Sequence, residues 1–437
     1  MLRARHILST TGATLVSGGL VLGLTLLVAR ALTPEQNGYY AQYVLVFNLV
    51  YIGLNFGLGP SSTFFLASRR ATVRSVWAVN LAVLAVVACL LSVATWLIHQ
   101  SEMADSVRRL LKIPAPALYL GLLAGMLLLS FNQVVAVLMG EHRYDLVNTL
   151  NVLRALSPLA LVGGAVLVGT SSFTAITLGQ TVAMAIALAL AVWFARRAAP
   201  EGAPAPMADF SKNFRSMLSY GGLVYLSNLL HYLAMRGLLL LLSYWSVPES
   251  VGFLNLALLL LEVTLLLPSA IGQLVFPQSS TAGFDHALLE TVLRVNLYVS
   301  VALVVLILAL ARPVVTLLIG PGYMPVALAL IHLTPSVVLL AVPRILSQLL
   351  SGQGHPRYPL AAAALSLALG AAVAAWVIPR WGYLGAAWVT NLVSAITAAV
   401  TLFGYCRVHR VRLVQVLVPR ERDWLSVQRL AMKLAGR

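Results

Sequence analysis

Charged residues are scarce in this sequence, and their scarcity indicates the class of protein. Only 10% of the 437 residues are Asp, Glu, Lys or Arg, whereas 60% are hydrophobic. Soluble globular domains carry about 25% charged residues, so this chain belongs in a bilayer. Its 29 basic residues outnumber 13 acidic ones, for a net charge of +16. Because the basic residues lie mostly at the ends of apolar segments, this excess favours the membrane surface as partner, and no nucleic acid.

Cysteines and catalytic motifs are also few. The two cysteines, Cys89 and Cys406, lie in or beside apolar segments and give neither a disulfide framework nor a metal-ligand spacing. No nucleotide-binding loop, zincin motif, serine-nucleophile elbow or pair of carboxylates is present. The sequence therefore predicts no catalytic residue, no metal and no cofactor. Any transport by this chain is secondary or needs a partner.

Long apolar stretches are abundant instead. A helix needs about 20 apolar residues to cross a bilayer. The first stretch follows Arg3 and Arg5 as in a signal peptide, but it is long enough to span and is retained in our interpretation. Twelve stretches qualify: 9–31, 39–66, 75–99, 117–139, 146–168, 173–195, 215–243, 251–277, 290–311, 324–350, 358–379 and 382–406.

Two short motifs recur at one spacing. The stretch from Thr33 to Tyr39, which we interpret as a tight turn, shares Pro, Glu, Gly and an aromatic residue with the stretch from Pro248 to Phe253. The stretches 140–146 and 354–360 share Gly, Arg, Tyr and Leu. Both pairs are separated by 214 residues, since 248 − 34 equals 354 − 140. A common offset indicates an internal duplication of about half the chain.

The duplication divides the twelve spans into six and six. We predict an all-α polytopic membrane protein with an N-terminal six-helix bundle (1–196), a cytoplasmic linker (197–214), a C-terminal six-helix bundle (215–406) and a basic cytoplasmic tail (407–437). Six spans per half leave both halves in one orientation, so the repeat is parallel, about an axis along the membrane normal.

The basic residues set the orientation. With the N-terminus inside, 19 Lys and Arg lie in inner segments and six in outer ones, which places both termini in the cytoplasm. The basic tail would lie on anionic lipid, either as an amphipathic helix over 424–432 or as a solvated segment.

A few charges lie inside the spans: Arg154, Arg236, Glu262 and Arg344, with Arg30 and Arg294 at span ends. The arginines either face a cavity or snorkel to the interface. Glu262 is too deep to snorkel, so it must be protonated, paired with an arginine or bound to a cation. Its counterpart by the 214-residue offset is Asn48.

Two of these arginines have polar company on their own helices. Asn148, Asn151 and Arg154 fall within an arc of roughly 120°. The seventh span carries a polar stripe: Tyr225, Asn228, His231, Tyr232 and Arg236. A lipid-facing surface would not carry such a stripe, so we expect it to face the protein interior. His231 is either a hydrogen-bonded core residue or a proton site.

Three segments resemble one known family. The segment from Ala29 to Tyr40, the Asn55–Gly59 segment and the turn Gly352–Pro356 look like the polysaccharide-transporter branch of the multidrug/oligosaccharidyl-lipid/polysaccharide flippase superfamily. The resemblance implies two six-helix bundles around a central cavity. It also implies movement of polyprenyl-diphosphate-linked sugars across the bacterial plasma membrane by alternating access.

The resemblance and the buried charges together give a set of site residues. We expect Arg30, Arg154, Arg236 and Arg344 to attract the diphosphate, since guanidinium groups suit phosphate. Asn151, Asn228 and His231 are further candidates for substrate contact, and Glu262 and Asn48 for ion coupling. Glycosyltransferases or a polymerase of the same pathway are possible partners. The alternatives are a drug or cation exporter of this fold, a membrane-embedded polysaccharide enzyme, and a scaffold or lipid-binding protein.

Overall fold

The computed structural model describes residues 4–100, 112–170, 172–198, 210–266, 268–269, 271, 286–411, 413 and 418. The regular secondary structure of these residues is helical, without a strand. The α-helices are α1 (Ala4–Ala31), α2 (Pro34–Gly53), α3 (Leu58–Ala67), α4 (Val73–Gln100), α5 (Ala115–Gly140), α6 (Tyr144–Leu167), α7 (Phe173–Ala198), α8 (Phe210–Trp245), α9 (Pro248–Thr264), α10 (His286–Leu318), α11 (Met324–Gly352) and α12 (Arg357–His409). A 3₁₀-helix, Pro321–Tyr323, precedes α11.

These helices account for the predicted spans. In the described part of the chain, nine are long and apolar enough to cross a membrane, and α2 with α3 forms a further span bent by 44°. Helix α12 has 53 residues and kinks at Gly382, so it supplies the last two predicted spans. Helix α9 covers residues 251–264 of the predicted span 251–277, and most of the remainder lies outside the described residues. The prediction of an all-α polytopic membrane fold with about twelve spans is confirmed.

The motif that begins at Thr33 is the start of a helix, and its interpretation as a tight turn is wrong. The Thr33 hydroxyl accepts a hydrogen bond from the Gln36 backbone N–H, and the Gln36 side chain accepts one from the Thr33 N–H, each at 3.3 Å. This capping box satisfies two N–H groups that a helix leaves unpaired, and Pro34 occupies the first turn. The duplicated Pro248 likewise begins α9.

The described helices group into two compact units. Unit 1 comprises Met1–Tyr232 with Leu239–Asn255, and unit 2 comprises Leu233–Leu238 with Leu256–Arg437. In unit 1, α5 packs against α2, α3 and α7; in unit 2, α11 packs against α10 and α12. The most apolar window of α11 is 61% buried and that of α10 only 11%, so α11 is the interior helix. The predicted bundle boundaries stay a prediction, and most of the linker and the tail lies outside the described residues.

Within unit 1 the two duplicated motifs touch. A Cβ built on Gly38 would lie 2.0 Å from the Pro248 carbonyl oxygen, and one built on Gly252 would lie 2.9 Å from the Gly38 nitrogen. Only glycine permits backbones to cross this closely. The sequence repeat therefore marks a contact between the first turns of α2 and α9.

Candidate functional site: arginines in the membrane-spanning helices

Unit 2 contains an ion pair between two predicted site residues. Arg236 on α8 lies 2.7 Å, Nη2 to Oε1, from Glu262 on α9. The Arg236 side chain is 13% exposed and that of Glu262 49%. Of the three states that the sequence allows for Glu262, the structure has the paired one. Such charge-assisted hydrogen bonds are short and fix both side chains.

Arg344 on α11 belongs to the same group of charges. Glu262 attracts its guanidinium group and Arg236 repels it, so the three side chains lie within electrostatic range of one another. The Arg344 Nε is buried without a hydrogen-bond partner in the described part of the protein. Two guanidinium groups and one carboxylate give this cluster a charge of +1. The Arg344 Nε is a buried donor to which an anion could hydrogen-bond.

Unit 1 contains a second cationic position at Arg154. This half-buried side chain on α6 lies with its guanidinium carbon 5.8 Å from the Phe131 ring centroid. It is also within electrostatic range of Tyr51 on α2. Among the residues described, no carboxylate forms an ion pair with Arg154. Asn151, one turn earlier on α6, is half-buried.

The other predicted site residues take different positions. Arg30 is exposed in the last turn of α1. Asn48 is half-buried in unit 1, and its amide N–H donates a hydrogen bond to the Val44 carbonyl of its own helix at 2.9 Å. Glu262, its counterpart at the 214-residue offset, lies in unit 2. On α8, Asn228 is exposed and His231 half-buried.

Asn228 lines a cavity of about 230 Å³ in unit 1. The cavity lies where α2 and α3 are separated by a break, and its walls include Tyr51, Asn55, Gly57, Pro60 and Tyr225. Sequence reasoning missed Tyr51 and Asn55 as site residues. The signal was present in Asn55-Phe56-Gly57, because Gly57 has φ +72°, a left-handed conformation that favours glycine, and forms the N-cap of α3 after the break.

No three His, Cys, Asp or Glu side chains come together as metal ligands anywhere in the described ranges. The candidate site itself consists of guanidinium groups in each unit, the Glu262 carboxylate paired with Arg236, and a polar cavity in unit 1. Guanidinium groups held in low-dielectric surroundings attract anions, phosphate above all.

The family model described as "Polysaccharide biosynthesis protein" matches residues 4–282. No curated protein sequence matches the chain significantly.

Three solved structures show similarity of fold. The lipid II flippase MurJ, in an inward closed conformation, has a TM-score of 0.72 at 14% identity, over 91% of this chain and 87% of that one. An inward-facing multidrug resistance MATE family transporter of the MOP superfamily has a TM-score of 0.69 at 17% identity, over 90% and 95%. A MOP superfamily transporter from Pyrococcus furiosus has a TM-score of 0.58 at 15% identity, over 92% and 95%. At these identities the likeness is one of fold.

Proposed function

Because the chain belongs to the polysaccharide biosynthesis protein family, we propose that it moves a polyprenyl-diphosphate-linked oligosaccharide across the bacterial plasma membrane by alternating access. The family and the transporter fold support membrane transport of a lipid-linked substrate. The charges within the spans support a substrate that carries a diphosphate. The protein supplies binding groups and a path, and performs no covalent chemistry.

The observation that carries the proposal is the excess of guanidinium groups over carboxylates. Arg154 in unit 1 has an aromatic ring rather than a carboxylate beside it. In unit 2, Arg236 and Arg344 share the single carboxylate of Glu262. Uncompensated cations at bilayer depth are costly and are retained where a ligand neutralises them. A diphosphate provides that compensation and can accept bidentate hydrogen bonds from arginine.

Glu262 is the proposed coupling residue. Its carboxylate holds Arg236 in one position, so a coupling ion, either a proton or a sodium ion, that occupied the carboxylate would remove that restraint. Arrival of the ion would then favour anion binding at the two guanidinium groups, and its loss would favour release. Asn48 has its amide satisfied within its own helix, which supports a packing role.

The exporter and enzyme alternatives fit the site less well. A site for organic cations needs an available carboxylate, and Glu262 is occupied by Arg236. A polysaccharide enzyme needs paired acid and base groups at its reacting centre. We place both termini in the cytoplasm and the basic tail on anionic lipid, with pathway glycosyltransferases or a polymerase as partners.

Complementation tests the proposal. A bacterial strain lacking its own sugar-lipid flippase should regain surface polysaccharide with this protein, and Arg154→Ala or Arg344→Ala should abolish that export at equal membrane levels. Arg74→Ala is the matched control, because Arg74 is exposed in the first turn of α4. Normal export by both site variants would refute the role of the buried arginines.

A further inference from the structure

The cavity in unit 1 lies at a break in a transmembrane helix. Helix α2 ends at Gly53 and α3 begins at Leu58, with a bend of 44° between them. The Tyr225 hydroxyl of α8 donates a hydrogen bond to the Gly53 carbonyl oxygen at this break. The backbones of Gly57 and Gly221 approach so closely that a Cβ on Gly57 would lie 2.2 Å from the Gly221 carbonyl oxygen. The break and α8 therefore form fixed walls.

The walls are neutral, polar and aromatic. The side-chain oxygen of Asn55 is buried and accepts no hydrogen bond from the described residues. Tyr51 and Asn228 add a hydroxyl and an amide, and the Tyr225 ring packs against Phe56 with centroids 5.8 Å apart. None of the described lining residues is charged. A buried unpaired oxygen is costly, and a ligand hydroxyl that donates to it would remove that cost.

Size and neighbouring charge restrict the ligand. A volume of about 230 Å³ is below the roughly 300 Å³ at which pockets for drug-sized ligands begin, so the cavity suits one small ring. Arg154 lies within electrostatic range of Tyr51 in the cavity wall, and its positive charge disfavours a metal cation. The neutral lining and the nearby positive charge together favour a neutral group that is attached to an anion.

We propose that this cavity binds the sugar ring attached directly to the diphosphate of the lipid-linked substrate, with Asn55 accepting from a ring hydroxyl or amide. The inference rests on the proposed function and adds a position to it. The ring occupies the break in the second span, while the diphosphate lies toward Arg154. The protein would thereby discriminate a lipid that carries a sugar from the bare carrier.

The test is a binding comparison with the full-length protein in nanodiscs. The probes are undecaprenyl diphosphate and the same lipid carrying glucose, galactose or N-acetylglucosamine. At least one sugar-bearing lipid should bind about tenfold tighter than the bare lipid, as one or two net hydrogen bonds provide. Asn55→Ala and, independently, Asn228→Ala should reduce that preference to about twofold or less without changing affinity for the bare lipid.

Asn132→Ala is the matched control. Asn132 is half-buried in the same unit, and its amide donates to the Leu128 carbonyl of its own helix at 2.8 Å, so the sugar preference should persist. If the natural protein binds all four lipids equally, or if both site variants keep the full preference, the sugar site is refuted while the proposed function stands. If the natural protein binds none of the four lipids, the proposed function fails and the sugar site fails with it.

Discussion

At the scale of single residues, the two partners of the Arg236–Glu262 pair differ in burial. The Arg236 side chain is 13% exposed and that of Glu262 49%. The charge that stays behind is therefore mostly buried when Glu262 is removed and half-exposed when Arg236 is removed. Glu262→Ala leaves a mostly buried guanidinium group beside Arg344, whereas Arg236→Ala leaves a half-exposed carboxylate. We expect Glu262→Ala to destabilise the protein by roughly 2–3 kcal/mol and Arg236→Ala by about half as much, since the loss of one partner is costliest where the other stays buried.

A thermal unfolding series in detergent measures this asymmetry, with the double variant completing a mutant cycle. The double variant should be more stable than Glu262→Ala alone, because it also removes the repulsion between Arg236 and Arg344. Equal destabilisation by the two single changes would contradict the structural assignment of burial.

Tyr225 offers a second prediction at this scale. Its hydroxyl donates to the Gly53 carbonyl, which the break after α2 releases from regular helical bonding. Tyr225→Phe should lower unfolding stability by about 1–2 kcal/mol, because the carbonyl is then left without this donor. Tyr39→Phe is the control: Tyr39 donates to Glu35 at 2.8 Å in an exposed position, and its change should cost little. A stability unchanged by Tyr225→Phe would mean that water replaces the hydroxyl.

These residue contacts show the limit of what the sequence predicts. Apolar runs correctly indicated which stretches form helices long enough to span a membrane. The depth of Glu262 left three states open for it: protonated, paired with an arginine or bound to a cation. Arg236 was named as a site residue, but its pairing with Glu262 depends on the rotation of α8 and α9 about their axes. Asn55 and Tyr51 were missed, because hydropathy does not register a residue such as Gly57 with positive φ.

At the scale of elements, the crossing of α2 and α9 depends on Gly38. A Cβ there would lie 2.0 Å from the Pro248 carbonyl oxygen, and backbone cannot yield as a flexible side chain can. Gly38→Ala should therefore separate the two helix starts and destabilise the protein by about 1–3 kcal/mol, the usual range for overpacking. The measurement is thermal unfolding of the purified protein.

The control for this crossing is Gly19→Ala in α1, where an added Cβ would meet nothing within 4 Å. Alanine is the better helix former by about 1 kcal/mol, so Gly19→Ala should be neutral or stabilising. A Gly38→Ala protein as stable as the Gly19→Ala protein would contradict the close crossing. The repeat in the sequence identified Gly38, but as part of a turn. The capping box of Thr33 and Gln36 can be recognised only when the start of the helix is known.

At the scale of the whole molecule, the helix count followed from the sequence because a span has a fixed minimum length. Apolar stretches of that length were sufficient to predict the fold class. The kink at Gly382 and the break after Gly53 change the direction of a helix only locally. The grouping into units was not accessible in the same way, because it depends on contacts such as that between Gly57 and Gly221, which no periodicity encodes.

The membrane orientation is the last prediction, and two exposed glutamates provide a matched pair to test it. Glu35 lies in the first turn of α2 and Glu141 follows the end of α5. With 19 basic residues in inner segments and six in outer ones, we expect Glu35 to face outside and Glu141 to face the cytoplasm. In a background with Cys89→Ser and Cys406→Ser, an impermeant maleimide should label Glu35→Cys in intact cells and Glu141→Cys only after permeabilisation. The opposite labelling would invert the topology and, with it, the side from which the substrate enters.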